Sequence, residues 1–257
     1  MATSHLASGK LLYVAPTGSD SAAGTIAAPY ATFSKAITAA VAGDTIYARG
    51  GVFNINAQLG ITKSGTASAG LSLLAYPGET PILDFAAEPS GKRGIQLDAN
   101  YWTMRGLTVR NARDNGVFIS GSNNVIDRFD LYGNQDSGLQ IAAGGTRVPS
   151  NNLILNTDSH GNYDPANNGE NADGFAAKFR GLGPGNVFRG VRAWGNSDDG
   201  FDFWARNRAS PSRTAGRSRT ASTPSATPTG KATATASSSA TTAARTCLRT
   251  WSCGATA

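Results

Sequence analysis

Between residues 94 and 204, four stretches of the sequence can be laid over one another, and this repetition constrains the fold more than any other feature. GLTVRNARDNGVFI is followed by FDLYGNQDSGLQI, then by TDSHGN with a later NADGFAAKF, then by VRAWGNSDDGFDF. Each unit holds a short strand, an Asn-containing turn, and an acid-plus-Gly turn leading into the next strand. The glycines of that second turn, Gly116, Gly138, Gly174 and Gly200, are spaced by 22, 36 and 26 residues. A staggered second mark, NNVI, NNLI and GNVF, precedes the last three units. A period in the low twenties, with insertions in the third and fourth coils, is the pattern of a parallel β-helix. Each coil of such a solenoid buries its apolar side only by stacking on its neighbours. Asn and Gly at matching places supply left-handed backbone turns between the sheets. A propeller is the competing architecture, but its blades need about forty residues each.

The segment ahead of the repeats predicts how the solenoid begins. Leu11–Val14 reads as a strand, and GSDSAAG as a turn-rich stretch. In YATFSKAITAAVAG the apolar residues Phe33, Ala36, Ile37, Ala40 and Val41 fall at helical spacing, with Gly43 as the stop. DTIYARGGVF reads as a strand ending in a Gly-Gly turn, and LSLLAYPG and TPILDF as two more strands. One short amphipathic helix before many short strands suits a cap on the end of an elongated β structure. The expected fold is therefore all-β, a parallel β-helix over residues 11–204 with a short N-terminal capping helix.

Charge is distributed unevenly. The chain's formal net charge is +6, which taken alone suggests a nucleic-acid binder. Residues 1–204 nevertheless carry 15 Lys+Arg and all 17 Asp+Glu, a net of −2, while residues 205–257 carry 8 basic residues and no acid. The basicity belongs to the last fifty residues and gives no reason to expect nucleic acid as a partner of the domain. Both cysteines, Cys247 and Cys253, lie there too, so the domain needs no particular redox compartment. No apolar run approaches a membrane span, and no membrane partner is expected. MATSHLASGK lacks the basic and apolar regions of an export signal.

Residues 205–257 are Ala, Thr, Ser, Arg and Pro with almost no large apolar side chain. One reading is a disordered, low-complexity linker. The genetic code offers another, in which the third base of each codon is read with the first two of the next. Under that shift Thr214–Arg217 permits N-S-W-A, Thr220–Ala221 permits N-G, and Gly230–Ala240 permits W-E-G-D-G-N-G-F-K-L-G. The permitted string continues the grammar of the coils, and the expectation is a shifted frame from near Ala205. A solenoid whose last coils are replaced by polar sequence exposes an uncapped apolar end, so such a chain should aggregate or express poorly.

The strongest chemical constellation is acidic. NADGFAAK places Asp173 at one coil's turn, and NSDDGFD places Asp198, Asp199 and Asp202 at the equivalent turn of the next. Stacked strands lie about 4.8 Å apart, so the four carboxylates should converge on one side of adjacent coils. They repel one another unless a hard cation sits among them, and Ca²⁺ with its six to eight oxygen ligands suits such a cage. Asp114 and Asp136, by contrast, read as ordinary Asp-Gly turn formers. Lys178, five residues after Asp173, is the one lysine beside this site, a candidate for a substrate carboxylate contact and, less strongly, for a base. Arg180 and Arg189 could contact an acidic polymer. His160, in SHGN, reads as a turn residue, Trp102 and Trp194 as packing on the coils, and the Asn-rich insert 161–172 with Tyr163 and Asp164 as a lip. No Ser-His-Asp arrangement, nucleophilic Cys or phosphate-binding Gly loop is visible.

GDTIYARGG, NNGENADGFAAK and WGNSDDGFDFW resemble polysaccharide lyase family nine, pectate lyases built on a right-handed parallel β-helix, over roughly residues 11–204. The resemblance implies Ca²⁺ bound by Asp173, Asp198, Asp199 and Asp202, an acidic polysaccharide (polygalacturonate) as partner, β-elimination with a lysine as base, and an extracellular monomer. That lysine normally lies in a G-N-G-F-K-L-G coil, which this chain holds only in the shifted frame, its codon straddling Ser237 and Ser238; on this reading activity is impaired. Two alternatives remain: another polysaccharide-active enzyme on the same scaffold, or a non-catalytic carbohydrate-binding β-helix.

Overall fold

The computed structural model describes residues 9–178 and 181–203, and within them the chain winds into three parallel sheets. Each full coil gives one strand to each sheet. Trp102–Arg105, Thr108–Arg110 and Val117–Ile119 make one coil, and Val125–Asp127, Asp130–Tyr132 and Leu139–Ile141 the next. The first sheet has seven strands and the other two have six each. The expected coil register holds in detail: Val117 pairs with Leu139, Leu139 with Phe175, and Phe175 with Phe201, each directly after one of the four repeat glycines. The repetition also reaches further back than the four units, because Ile95 pairs with Val117 after Gly94, and Leu59 with Ile95.

Alternation within the strands fills the interior. Ile46, Leu73, Met104, Ile126 and Ile154 of the first sheet, Leu83, Val109 and Leu131 of the second, and Leu97, Ile119 and Ile141 of the third are fully buried in one continuous core. Each such side chain contributes about 1.5–3 kcal/mol on leaving water.

Asparagine plays two separate roles at the corners. Asn111, Asn123, Asn151 and Asn156 take positive φ of 47–59°, the left-handed turns expected from sequence. Asn124 and Asn152, next to two of these, and Asn186, next to the positive-φ Gly185, instead turn inward and form a buried ladder. Asn124 Nδ2 donates to Asn152 Oδ1 at 3.1 Å, and Asn152 Nδ2 to Asn186 Oδ1 at 2.9 Å. A second ladder, Asn134–Asn162–Asn196, has steps of 2.9 and 2.7 Å. Each rung also accepts a backbone N–H from the coil before it, satisfying polar groups that the corners would otherwise bury unpaired.

The helix is present at Phe33–Ala39, with Phe33, Ala36 and Ile37 buried. Thr32 caps its start by accepting from Lys35 N, and the Thr32 hydroxyl donates to Asp20 Oδ2 at 2.7 Å. The Phe33 ring meets Phe53 at 4.6 Å between centroids, so the helix covers the first coils as expected of a cap. It is shorter than its apolar spacing predicts: Ala40 already has extended backbone, and Val41, counted on the apolar face, is 58% exposed. DTIYARGGVF is split at its glycines into Thr45–Ala48 and Gly51–Asn54, which belong to different sheets. No helix among the described residues is long and apolar enough to cross a membrane. Residues 205–257, with the proposed change of frame, lie outside the described residues.

Candidate metal and substrate site

The acid-plus-Gly turn recurs at one corner of four successive coils, just ahead of the third sheet. Asp173 and Asp199 occupy the same place in successive coils as Asn115 and Ser137 do in the two before them, because Gly116, Gly138, Gly174 and Gly200 align. The glycine is required by packing between coils. A Cβ on Gly174 would stand 2.6 Å from Ala193 Cβ and 2.7 Å from Gly200 O. Gly174 N donates to Asp199 O and Gly138 N to Asp173 O, fixing the two turns one strand spacing apart.

Three of the four predicted carboxylates come together. Asp173, Asp198 and Asp199 each offer an oxygen, and these lie within 4.8 Å of one another, with Asp173 buried and the other two open to solvent. Their orientations are held: Ser137 Oγ lies 3.0 Å from Asp173 Oδ2, Asp199 N donates to Asp173 Oδ1 at 3.2 Å, and Asn171 N donates to Asp198 Oδ2 at 3.0 Å. A set made only of carboxylate oxygens fits a hard divalent cation of the Ca²⁺ kind and not a soft one.

The fourth carboxylate, Asp202, sits one strand residue further on and faces a different partner. Lys178 Nζ lies 2.6 Å from Asp173 Oδ2 and 3.2 Å from Asp202 Oδ2, bridging the two. The Lys178 side chain is 8% exposed and that of Asp173 0%. Burial opposes the lysine's charge, but hydrogen bonds and the charges of both aspartates outweigh it and hold the ammonium above its ordinary value. Burial pushes Asp173 up to about 6, against the pull of Lys178. A lysine serving as base needs the opposite displacement, which a cation held by the same carboxylates would favour.

The other candidates scatter. Arg189 ends Val187–Arg189 in the first sheet, exposed, whereas Asp173 lies in the turn ahead of the third-sheet strand Phe175–Ala177, so the coil does not bring Arg189 to the cluster. Arg180 lies outside the described residues. Asp114 and Asp136 behave as turn residues: Asp114 Oδ1 accepts from Asn115 N, and Asp136 Oδ1 from Ser137 N and Asn115 Nδ2. Asp164 caps its own loop through Ala166 N and Asn167. It also lines an open cavity of about 490 Å³ with Asp114 and Asp136, whose walls do not include Asp173, Asp198 or Asp199. His160 is a strand residue of Asp158–His160 and not a turn residue. Its ring stacks on Tyr132 at 5.2 Å and on Trp194 at 4.4 Å, and its Nε2 is 3.0 Å from Asp130. Trp102 is fully buried, its Nε1 donating to Lys63 O, while Trp194 packs on His160 yet stays 45% exposed. Ser137 was missed by the sequence reading. Its signal is positional, since it fills the Asp173 column one coil earlier.

Comparison with known proteins agrees with this fold. The family profile described as "Pel9A-like, right handed beta helix region" matches residues 12–240. The chain is 43% identical over 222 residues to pectate lyase PEL9 of Emericella nidulans, covering 81% of this chain and 53% of that protein. It is 44% identical over 219 residues to pectate lyase L of Paenibacillus polymyxa, covering 82% of this chain and 48% of that one. Among solved structures, that of pectate lyase Pel9A superposes with a TM-score of 0.70 at 33% identity, covering 79% of this chain and 52% of the other. The chain thus spans about half the length of the curated relatives it matches.

Proposed function

This chain belongs to the Pel9A-like, right-handed β-helix family, and on that premise we propose that it is a secreted, monomeric, calcium-dependent pectate lyase that cleaves polygalacturonate by β-elimination. The observation that carries the reading is the Asp173–Asp198–Asp199 cluster, set on adjacent coils beside the buried Lys178, in a chain of this family.

In the elimination a base takes the proton on C5 of a uronate, the C4–O4 bond breaks, the leaving oxygen gains a proton, and a C4–C5 double bond remains. Charge builds on the uronate carboxylate as C5 loses its proton. A calcium ion held by Asp173, Asp198 and Asp199 would neutralise that carboxylate and favour the enolate-like transition state. Ser137 and the Asp199 amide keep Asp173 in one orientation, so the cluster need not reorganise to receive a cation. Lys178 holds Asp173 and Asp202 together and presents positive charge where an acidic polymer would approach. Held charged by two carboxylates, it is poorly set to take a proton. We assign the base instead to the lysine of G-N-G-F-K-L-G, encoded across Ser237 and Ser238 in the shifted frame. With the frame as written, activity should be impaired.

The test is to incubate the full chain with polygalacturonate and Ca²⁺ and follow ultraviolet absorbance of the unsaturated product, with and without EDTA. Product that needs calcium supports the reading. Saturated reducing ends formed in EDTA would mean hydrolysis, and binding without product would mean a carbohydrate-binding β-helix.

A further inference from the structure

The outer face of the third sheet carries a second feature, two to three strands from the Asp173 cluster. Gln96, Phe118, Gln140, Ala176 and Asp202 are in register and project away from the core on successive strands. Phe118 is the anomaly in this row. Its neighbours Val117 and Ile119 belong to the core cluster and Phe118 does not, yet it is only 4% exposed. What covers it is Arg93, whose guanidinium carbon lies 3.6 Å from the ring centroid.

Arg93 is held in that position. Its Nη1 donates to Gln96 Oε1 at 2.8 Å, and Gln96 Nε2 donates on to Asp98 Oδ1 at 2.5 Å, which also takes the Ser120 hydroxyl at 2.5 Å. The amide of Gln96 is thereby locked with its oxygen toward the arginine. Arg93 makes no ion pair among the described residues, and its Nε is buried without a hydrogen-bond partner. Asp98 is the nearest carboxylate in this network and reaches Arg93 only through Gln96. A planar cation fixed on an aromatic face and left without a counter-ion is suited to receiving a carboxylate.

The position is informative too. Arg93 stands in the same turn column as Asp173, three strands away along the sheet, and its side chain reaches back over the intervening strand of Phe118. Two to three strand spacings separate the guanidinium from the carboxylate cluster, about 10–14 Å. One strand spacing is close to the length of one pyranose residue, and because successive uronates turn about the chain axis, a polymer lying along the solenoid brings a carboxylate back to the same face two or three residues on.

We propose that Arg93, laid on Phe118 and aligned by Gln96, is a carboxylate subsite that grips a uronate two or three sugars from the one at the Asp173 cluster. This rests on the reading of the chain as a polyuronate-binding lyase. It adds a determinant for chain length and for unesterified substrate that does not use the metal.

The test is binding of hexagalacturonate and of its methyl ester by calorimetry, with the full chain, in EDTA and in Ca²⁺. Arg93→Met should weaken hexagalacturonate binding roughly tenfold in both conditions, as expected for one lost charged hydrogen-bond pair. It should leave methyl-ester binding unchanged and lower Tm only slightly, by the lost stacking on Phe118. Arg93→Lys, which keeps the charge and loses the fork, should fall between. Equal hexagalacturonate binding by wild type and Arg93→Met would overturn the subsite while leaving the lyase reading intact. Equal losses for acid and ester, with a lowered Tm, would make Arg93 structural and also overturn it. Failure of the wild type to bind hexagalacturonate at all in Ca²⁺ would remove the underlying reading, and the subsite with it.

Discussion

The Lys178 ammonium bridges Asp173 and Asp202, at 2.6 and 3.2 Å, so the cluster carries its own counter-cation. Removing one partner of a buried pair leaves the other charge uncompensated, at a cost of several kcal/mol. Lys178→Met should therefore destabilise the metal-free chain by about 2–4 kcal/mol, and added Ca²⁺ should recover more stability in the variant than in wild type. Thermal melts in EDTA and in Ca²⁺ check this, and equal calcium shifts in both proteins would sink it.

Asp199 is exposed and offers an oxygen to the proposed ion, whereas Asp114 serves only its turn. Asp199→Asn should shift the calcium titration of product formation at least about tenfold to higher concentration. Asp114→Asn should not move it. The titration is read from initial rates on polygalacturonate, in the frame-corrected chain if the original is too slow.

Glu88 is 4% exposed; its Oε1 accepts from Arg113 N, and its Oε2 has no partner. Burial pushes this carboxyl from 4.5 up to about 7, with the Arg113 N–H pulling the other way. The folded chain then holds more protons than the unfolded one between those values. Stability contributed by this group is complete below the lower value, falls as pH rises toward 7, and is gone above it. Glu88→Gln should be more stable than wild type by about 1–3 kcal/mol at about pH 8 and equal to it at about pH 4. Urea unfolding at the two pH values decides, and a difference that does not depend on pH would contradict the assignment.

Asn152 sits mid-ladder, accepting from Asn124 N and Nδ2 and donating to Gly121 O and Asn186 Oδ1. Asn152→Leu keeps the bulk but strands buried groups on both sides, at roughly 1–3 kcal/mol each. A loss of about 2–5 kcal/mol in urea melts is expected, and a variant within about 0.5 kcal/mol of wild type would mean the ladder contributes little.

Resequencing the gene across the codons for residues 200–257 should find one missing or extra base near Ala205. Correcting it should restore G-N-G-F-K-L-G and raise lyase activity. An unchanged sequence would remove the base lysine from the account and leave Lys178 as the remaining candidate.

The coil architecture was legible because the ladder leaves local marks: Gly116, Gly138, Gly174 and Gly200 are demanded by close backbone approach, and Asn123 and Asn151 by a left-handed turn. The three clustered aspartates were legible for the same reason, each lying at a fixed offset from such a glycine. What was not legible depends on the side of a strand or on contacts across coils. Arg189 looks near the site in sequence but lies on another sheet. His160 reads as a turn residue because it precedes Gly161, although the ring stack of Tyr132 and Trp194 holds it in a strand. The pairing of Arg93 with Phe118 joins residues on adjacent coils, and no local pattern marks it.

Val117, Leu139, Phe175 and Phe201 stay in register although the chain between their glycines takes 22, 36 and 26 residues. All the surplus length is shed at the corners, in the stretches 142–151 and 161–172 and between Ala177 and Val187. The chemistry is thus mounted on a fixed pitch, while the walls around it are interchangeable parts. Exchanging residues 163–168, inside the ladder residue Asn162 and the Asp198 contact Asn171, should alter which branched or decorated polymers gain entry without moving Asp173 relative to Asp199. Selectivity and reactivity are written on separable pieces of this scaffold, so one can be re-engineered while the other is left alone.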